Sequence, residues 1–454
     1  MTPHEAPSRS RHPEATLSSR PRAVVLGIEH PRGVAVVRSL GRRGIPVVAV
    51  ERDLVARGLG SRYLERTVLV DGSPAKTVAA LDALGAEGGG VIIPTNDHFL
   101  MIVSQHFERL SRRFSVTVPP WDVLGPLMDK PECFRLGHAA GLRTPRCFAP
   151  RDAAELDRIV ADLDLNTQRY ILSVRQPGAV PADEVTGRMT TVAGEDADAV
   201  RRRSLAIAAR TGELPILIEV VPGRSDRCVG VSMVVDRDHV PVIAYCVRRL
   251  QLQLYASDTR FIHPYELGAN VYCESVRDEE AVAAATSFVR RTRFYGVITV
   301  EFRRDARDGQ LTLIKADPRV VRATSLSTAL GLDIPTALYD TFTGRGRALT
   351  VAYPDGVAWM WPTWYLHTIL GNRRRAALGG QLWAVLRNVH RIRAFAYLSL
   401  RDPRPALVDL ARFSRQWRAS LRGWALQTFL PPKSVLGVAA RAIHRHWPAG
   451  RRAA

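Results

Sequence analysis

The sequence predicts an α/β domain, then an α+β domain, then a basic and mainly helical C-terminal region. Three observations carry this expectation. Residues 22–50, RAVVLGIEHPRGVAVVRSLGRRGIPVVAV, set a segment of helical apolar spacing between two short β-branched runs, which is a βαβ unit and therefore a parallel sheet with a right-handed crossover. Residues 170–319 hold apolar runs broken by turn signals and one long helical segment, the pattern of a mostly antiparallel sheet. Beyond Gly344, apolar residues recur at helical spacing among arginines. The length agrees, since 454 residues exceed the roughly 100–200 that one core organises. The expected divisions are a tail over 1–21, an α/β domain over 22–125, an α+β domain over 126–345 and a C-terminal region over 346–454.

In the first unit AVVLG and IPVVAV are the strands. Val34, Val37 and Leu40 mark the buried face of the helix, and Gly41 or Gly44 stops it. GVIIPTNDHFL at 90–100 reads as a further strand ending in polar residues, where open α/β sheets place ligands. The spacing Gly27-x5-Gly33 does not match the dinucleotide fingerprint. MDKPECFRLGHAAGLRTPRCF at 128–148 reads as a helix capped by Asp129, with Pro131 in its first turn and a stop at Gly141. Then follow RYILSVRQPGAV as strand and loop, LPILIEVVPG as strand and turn, and CVGVSMVVDRDHVPVIAYCVRR as a hairpin turning near Asp236–Asp238. A helix over about 278–292 precedes the strands GVITVEFRRD and LTLIKADPR. In the last quarter, Leu382, Val385, Leu386, Val389 and Ile392 form one helical stripe. Leu407, Leu410, Phe413, Trp417, Leu421 and Trp424 form another, and DPRP at 402–405 separates them.

Charge narrows the partners. From Gly344 onward there are 19 Lys and Arg against three Asp and Glu, so +16 of the chain's +20 belongs there. Such a surface attracts anionic lipid, nucleic acid or an acidic partner. No nucleic-acid module or aromatic stacking motif accompanies it, so nucleic acid is not favoured. The two stripes fit either a cover for the folded core, with solvated arginines, or peripheral contact with an anionic membrane through Trp417 and Trp424. The five cysteines are scattered and odd in number, which excludes a disulfide framework or a Cys-x-x-Cys zinc site. His444 and His446 sit in the basic tail and read as solvated. The N-terminal residues lack the apolar core of a secretory signal. VAWMWPTWYLHTIL, interrupted by Pro362 and His367, falls short of the ~20 residues of a membrane span. The expectation is a cytoplasmic, soluble protein.

Only four of the 64 basic residues are lysine: Lys76, Lys130, Lys315 and Lys433. A lysine therefore runs against the chain's drift toward arginine. Lys315 closes an apolar run, two residues before Asp317 and four before Arg319. Glu301 lies between apolar neighbours in TVEF, where burial of a carboxylate is costly without a cation or donors.

In order and wording, VRSLGRRGIPVVAV, DKPECFRLGHAAGLRTP, IEVVPG, VEFRRD and LIKADPR resemble the ATP-grasp superfamily of carboxylate–amine ligases, above all its D-aspartate-ligase-like branch. The resemblance covers about residues 22–345 and continues faintly to LRDPRP. It implies a pre-ATP-grasp α/β domain, an α+β ATP-grasp domain, ATP, one or two magnesium ions, and small-molecule carboxylate and amine substrates; homodimers are common among such ligases. Lys130 stands where the family has its first ATP-phosphate lysine, and Glu219 where it has the acidic residue near the adenine. Glu301 matches the first metal-binding glutamate. Arg319 matches the arginine that contacts phosphate or substrate carboxylate, a task suited to its bidentate fork. Arg248 and Arg249 follow the hairpin strand, where the family often has a basic pair facing the site.

Two positions depart from the pattern. The family's second metal glutamate aligns with Lys315, and its asparagine with Asp317. Its strand lysine is replaced by Ser173 and Val174, leaving Arg175 as the nearest cation, and the flap that follows keeps only Gly178 and Gly187. Lys315 either neutralises phosphate directly, with Glu301 and Asp317 holding one magnesium, or pairs with those carboxylates and closes the site. The first reading is a ligase of altered metal usage. The second is a catalytically silent relative that binds a nucleotide, a metabolite or a protein partner.

Overall fold

Five short apolar strands build the N-terminal sheet: β1 (Ala23–Leu26), β2 (Val47–Glu51), β3 (Arg66–Leu69), β4 (Gly90–Pro94) and β5 (Phe114–Val116). The computed structural model describes residues 20–415 apart from 166, 174, 176–188, 193–196, 255–267, 347–351, 372–382 and 384. The strands lie in the order β3-β2-β1-β4-β5, and all pairings are parallel. Both faces of such a sheet are covered at its centre, so β1, β2 and β4 are buried and almost wholly apolar, while the edge strand β3 is exposed at Arg66 and Leu69. Alternation sends Val24, Leu26, Val48 and Val50 to one core and Ala23, Val25, Val47 and Ala49 to the other. Each fully buried valine or leucine contributes about 1.5–3 kcal/mol. Chain order reverses direction between β1 and β4, and this is the switch point where the loops after two neighbouring strands diverge.

Gly27 and Gly33 have a role that the fingerprint search did not supply. Gly27 turns out of β1 with φ +86, and a Cβ there would strike the Asn96 side chain. A Cβ on Gly33 would strike the Gly27 carbonyl oxygen and the Ile28 backbone. The pair thus lets the helix Pro31–Arg42 begin tightly against the end of β1.

The second sheet is antiparallel, in the order β6-β9-β7-β8, from β6 (Cys147–Phe148), β7 (Tyr170–Ser173), β8 (Met189–Val192) and β9 (Ile216–Glu219). The third comprises β10 (Cys228–Val235), β11 (Pro241–Leu254), β12 (Gly268–Val276), β13 (Gly296–Arg304), β14 (Leu311–Asp317), β15 (Ala358–Met360) and β16 (Ile392–Phe395), ordered β14-β13-β10-β11-β12-β15-β16. Its first six strands pair antiparallel, and β16 adds to the edge in parallel. The expected hairpin turns at Asp236–Val240, and the expected helix runs Glu279–Arg291 with Asp278 capping Ala281 N–H.

Beyond residue 346 the structure differs from two helical stripes. Ile392 begins β16 rather than ending a helix, and Leu386 and Val389 are exposed. Residues 404–415 are helical, but Leu407 and Leu410 are 62% and 55% exposed while Asp409 is buried. Leu382, Trp417, Leu421 and Trp424, the two tail histidines, and residues 1–19 lie outside the described residues. The register of the 404–415 helix follows its acid, not its leucines. Asp409 accepts from Arg57 Nε at 2.7 Å, Trp361 Nε1 at 3.1 Å and Thr363 Oγ1 at 2.6 Å. Asp402 likewise accepts from Arg38 Nε and Ser61 Oγ, both at 2.8 Å, and from Arg62 N at 3.0 Å. These bonds tie the end of the described chain to the N-terminal sheet.

The Arg38–Asp402 pair is buried on both sides, with side-chain exposures of 8% and 1%. Removing one partner of such a pair leaves an uncompensated charge and costs about 3–5 kcal/mol. Asp402→Ala should therefore lower unfolding free energy in urea by about that amount, and Arg38→Met in the Asp402→Ala background should recover part of it. A loss below about 1 kcal/mol for Asp402→Ala would show that the pair contributes little.

Candidate active site

The antiparallel register of β13 and β14 sets Glu301 opposite Lys315 and Thr299 opposite Asp317. A register shift follows Glu301, so the ladder is irregular beside the charged residues. Because side chains alternate, Glu301 and Thr299 share one face with Lys315 and Asp317. Lys315 Nζ lies 2.8 Å from Asp317 Oδ2 and 3.5 Å from Glu301 Oε2. Arg249 on β11 also donates to Glu301 Oε2. Arg319 Nε binds Asp97 Oδ1 at 2.5 Å, and its Nη2 lies 3.7 Å from Asp317 Oδ1. Five elements thus converge on one charge lattice.

These side chains line a cavity of about 400 Å³ bounded by β9, β10, β11, β13, β14 and the start of the helix Lys130–Ala139. Its walls are apolar at Phe134, Ile171, Ile218, Val221 and Phe302. Seven cationic side chains face three carboxylates around it, so the cavity suits an anionic ligand with an apolar part. Burial pushes the Asp317 carboxyl up, but Lys315 and then Arg319 outweigh it and hold Asp317 below the usual carboxylate range. Burial opposes the Lys315 charge; Asp317 and Glu301 reverse that, and its pKa is raised.

Of the residues read from the sequence, Lys130, Glu219, Glu301, Lys315, Asp317 and Arg319 all border this cavity. Lys130 is brought there because its helix lies on β14: a Cβ on Gly137 would come within 2.5 Å of Leu313 Cδ2. Glu219, at the end of β9, accepts from Arg146 N at 3.3 Å, Arg146 Nε at 3.2 Å and Arg307 Nη1 at 3.1 Å. Burial raises its pKa, but the Arg146 backbone and the two arginines hold it low. Arg175 is not brought to the cavity wall. Its Nε binds Asp129 Oδ2 at 2.7 Å, and its side chain is 45% exposed. This corrects the expected cap: Asp129 occupies the N-cap position of the 130–139 helix but makes no side-chain capping bond, because its carboxylate is drawn to Arg175. Arg248 and Arg249 split across the sheet, as neighbours on a strand must. Arg249 meets Glu301, while Arg248 meets Glu274 at 2.5 Å. Val174 and the flap glycines Gly178 and Gly187 lie outside the described residues.

The donor set is a poor match for magnesium. Among the described residues no group of three His, Cys, Asp or Glu is placed to hold a metal ion. Glu301 and Asp317 are the carboxylates on the cavity face of β13 and β14, and their oxygens already carry Arg249, Lys315 and Arg319. The ammonium occupies the position between them that a hard cation would take. The side chains as arranged do not fit a two-ion site.

The sequence missed the contribution of the N-terminal sheet. Arg32 and Arg322 also line the cavity. Asp97, at the start of the helix after β4, is the partner of Arg319. Asn96 donates from Nδ2 to Glu29 Oε1 at 2.8 Å and caps Phe99 N–H at 2.9 Å. The polar end of GVIIPTNDHFL was the available signal for Asn96 and Asp97. Nothing distinguished Arg32 among so many arginines. Among the described residues no helix is long and apolar enough to cross a membrane.

No family model and no curated protein matches the sequence significantly. Solved structures match the fold. The biotin carboxylase domain dimer of Hydrogenobacter thermophilus 2-oxoglutarate carboxylase, in complex with MgADP, ADP and bicarbonate, aligns with TM-score 0.55 and 14% identity over 75% of this chain and 73% of that one. Biotin carboxylase of Campylobacter jejuni with β,γ-ATP aligns with TM-score 0.56 and 14% identity over 75% of each chain. N5-carboxyaminoimidazole ribonucleotide synthetase of Thermus thermophilus aligns with TM-score 0.54 and 15% identity over 73% of this chain and 81% of that one.

His30, beside this site, gives a pH readout. Burial first, then Arg32, holds its imidazole well below the ordinary 6.5. The unfolded chain takes up a proton below 6.5 that the folded chain refuses, so stability present at neutral pH is lost as the pH falls. His30→Gln should reduce the drop in melting temperature between about pH 7.5 and about pH 5.5. An unchanged drop would mean that His30 contributes nothing to it.

Proposed function

We propose that this chain, which has the ATP-grasp fold, is an ATP-dependent carboxylate–amine ligase acting through an acyl phosphate. One observation carries the reading: a single cavity gathers Lys130, Glu219, Glu301, Lys315, Asp317 and Arg319 between an apolar wall and a cationic one. The named neighbours support it, since ADP and an ATP analogue occupy proteins of this fold. Phosphoryl transfer to a carboxylate spreads charge over the equatorial oxygens, and fixed cations stabilise that charge without reorganising.

In this reading the nucleotide's apolar part packs on Ile171, Ile218 and Val221, with Glu219 at the strand end beside it. Lys130 serves the phosphates, while Arg175 is engaged by Asp129. Lys315 and Arg319 face the transferring phosphoryl and the acyl phosphate, whose phosphate the amine then displaces. A magnesium ion brought by the nucleotide would supply further charge neutralisation, held by the nucleotide rather than by Glu301 and Asp317, whose oxygens already carry Arg249, Lys315 and Arg319. Lys315 takes the place of a second ion as a point charge, without fixing coordination geometry. A homodimer is part of the proposal, after the dimer named for the Hydrogenobacter domain.

A second reading, a catalytically silent nucleotide- or partner-binding protein, is favoured by one feature: Lys315 already bridges both carboxylates. Calorimetry of ATP with and without magnesium separates the two, on the native protein and on Lys315→Glu. The ligase reading expects ATP to bind the native protein, with magnesium tightening it less than ~tenfold, and a steeper magnesium dependence in Lys315→Glu. No binding to the native protein, with magnesium-dependent binding restored in Lys315→Glu, would establish the silent reading in its partner-binding form. ATP binding without phosphate release in a screen of carboxylates and amines would establish its nucleotide-binding form.

Peripheral contact with an anionic membrane is also proposed. Its support is an exposed set of leucines, Leu398, Leu400, Leu407 and Leu410, beside exposed Arg401 and Arg404. Co-sedimentation with phosphatidylserine vesicles should occur at low salt and weaken as salt is added. Absence of binding, or binding indifferent to salt, removes the proposal.

A further inference from the structure

The loop after β1, Gly27-Ile-Glu-His-Pro-Arg32, crosses the switch point between β1 and β4 and carries three buried polar atoms without a hydrogen-bond partner: Glu29 Oε2, His30 Nδ1 and Arg32 Nε. Buried polar atoms are normally satisfied, and an unsatisfied donor on a buried guanidinium is the costliest of these exceptions. Arg32 is only 7% exposed and lines the cavity.

The neighbouring carboxylates do not satisfy it. Asp97 is engaged by Arg319, and Glu29 Oε1 accepts from Asn96. Burial first, then Arg319, lowers the Arg32 pKa to about 10, which leaves it charged at neutral pH. Arg32 also sits in the first turn of the twelve-residue helix Pro31–Arg42, which has no side-chain cap and no acidic residue in that turn. Pro31 brings no N–H, and the Gly33 and Val34 N–H groups already bond the His30 carbonyl, so the helix start adds its dipole to the positive field. Open α/β sheets bind ligands at this place in their topology.

We propose that Arg32, with the start of the 31–42 helix, receives an oxyanion of the second, amine-bearing substrate. The substrate class is therefore an amine that also carries a carboxylate or a phosphate. This deepens the ligase reading and rests on it for the words "second substrate"; the anion site itself does not depend on catalysis. Arginine's planar fork accepts either group in bidentate fashion. Arg319, held between Asp97 and Asp317, joins the two parts: it faces the charge lattice of β13 and β14 on one side and the switch-point loops on the other.

The experiment is thermal melting of the full chain and of Arg32→Met, at constant ionic strength, in chloride, inorganic phosphate or acetate. A ligand that binds only the folded state raises the melting temperature. Phosphate or acetate should raise that of the native protein by several degrees over chloride and leave Arg32→Met unmoved. Stabilisation by phosphate alone assigns a phosphorylated substrate, and stabilisation by acetate assigns a carboxylate. In chloride, Arg32→Met should melt at or above the native temperature, because it removes a buried charge with an unsatisfied donor. The proposal is overturned if both proteins respond equally to the anions, if neither anion stabilises the native protein, or if Arg32→Met melts lower in chloride, which would give Arg32 a structural role. Calorimetry of a non-hydrolysable ATP analogue on the native protein runs in parallel. An anion response without nucleotide binding would sink the ligase reading and leave the anion site standing.

Discussion

The cross-strand pair of Glu301 and Lys315 is the interaction on which the site depends. An antiparallel register places them face to face, and the next residue on that face, Asp317, completes a triangle of opposite charges. None of the three is tolerable alone in a half-buried position. Together they pair their charges, and they recruit Arg249 from β11 and Arg319 from the turn after β14. The lattice leaves the cavity lined by seven cationic side chains against three carboxylates that are themselves paired.

Arg319 extends the lattice beyond its own sheet. By reaching Asp97 it joins the central antiparallel sheet to the switch point of the parallel one. The parallel sheet is in turn clamped from the far side by the end of the described chain, where Asp402 and Asp409 take the buried Arg38 and Arg57. The Arg57 guanidinium over the rings of Trp361 and Tyr397, at 5.8 and 5.4 Å, strengthens this second clamp. The cavity therefore lies, among the described residues, between parts fixed by ion pairs on two sides.

The exposed leucines of the 398–410 segment follow from the same clamp. With Asp402 and Asp409 drawn inward, geometry turns Leu407 and Leu410 outward. Leu407 and Leu410, read from periodicity as part of either a core cover or a membrane contact, lie at the surface because the buried Asp409 ion pair outweighs two leucines in setting the helix's rotation.

The sequence by itself indicated β1, β2, β4, β7, β9, β10, β11, β13 and β14 and the helices over 31–42, 130–139 and 279–291, because short β-branched runs bounded by glycine and proline have few other solutions. The ATP-grasp fold was legible through the resemblance of five motifs in their order. A lysine against an arginine background and a glutamate inside an apolar strand marked Lys130, Lys315 and Glu301 as local anomalies, whereas Glu219, Asp317 and Arg319 were legible only through the family resemblance; all six border the cavity. What only the tertiary structure decided was partnership. Asp129 binds Arg175 instead of capping its helix, Arg248 and Arg249 face opposite sides of a sheet, and Asp97 belongs to a site more than two hundred residues away. Arg32 was invisible among the chain's many arginines until the fold buried it beside a cavity with its Nε unsatisfied. Burial and long-range pairing are set by the packing of whole sheets, and no window of sequence contains them.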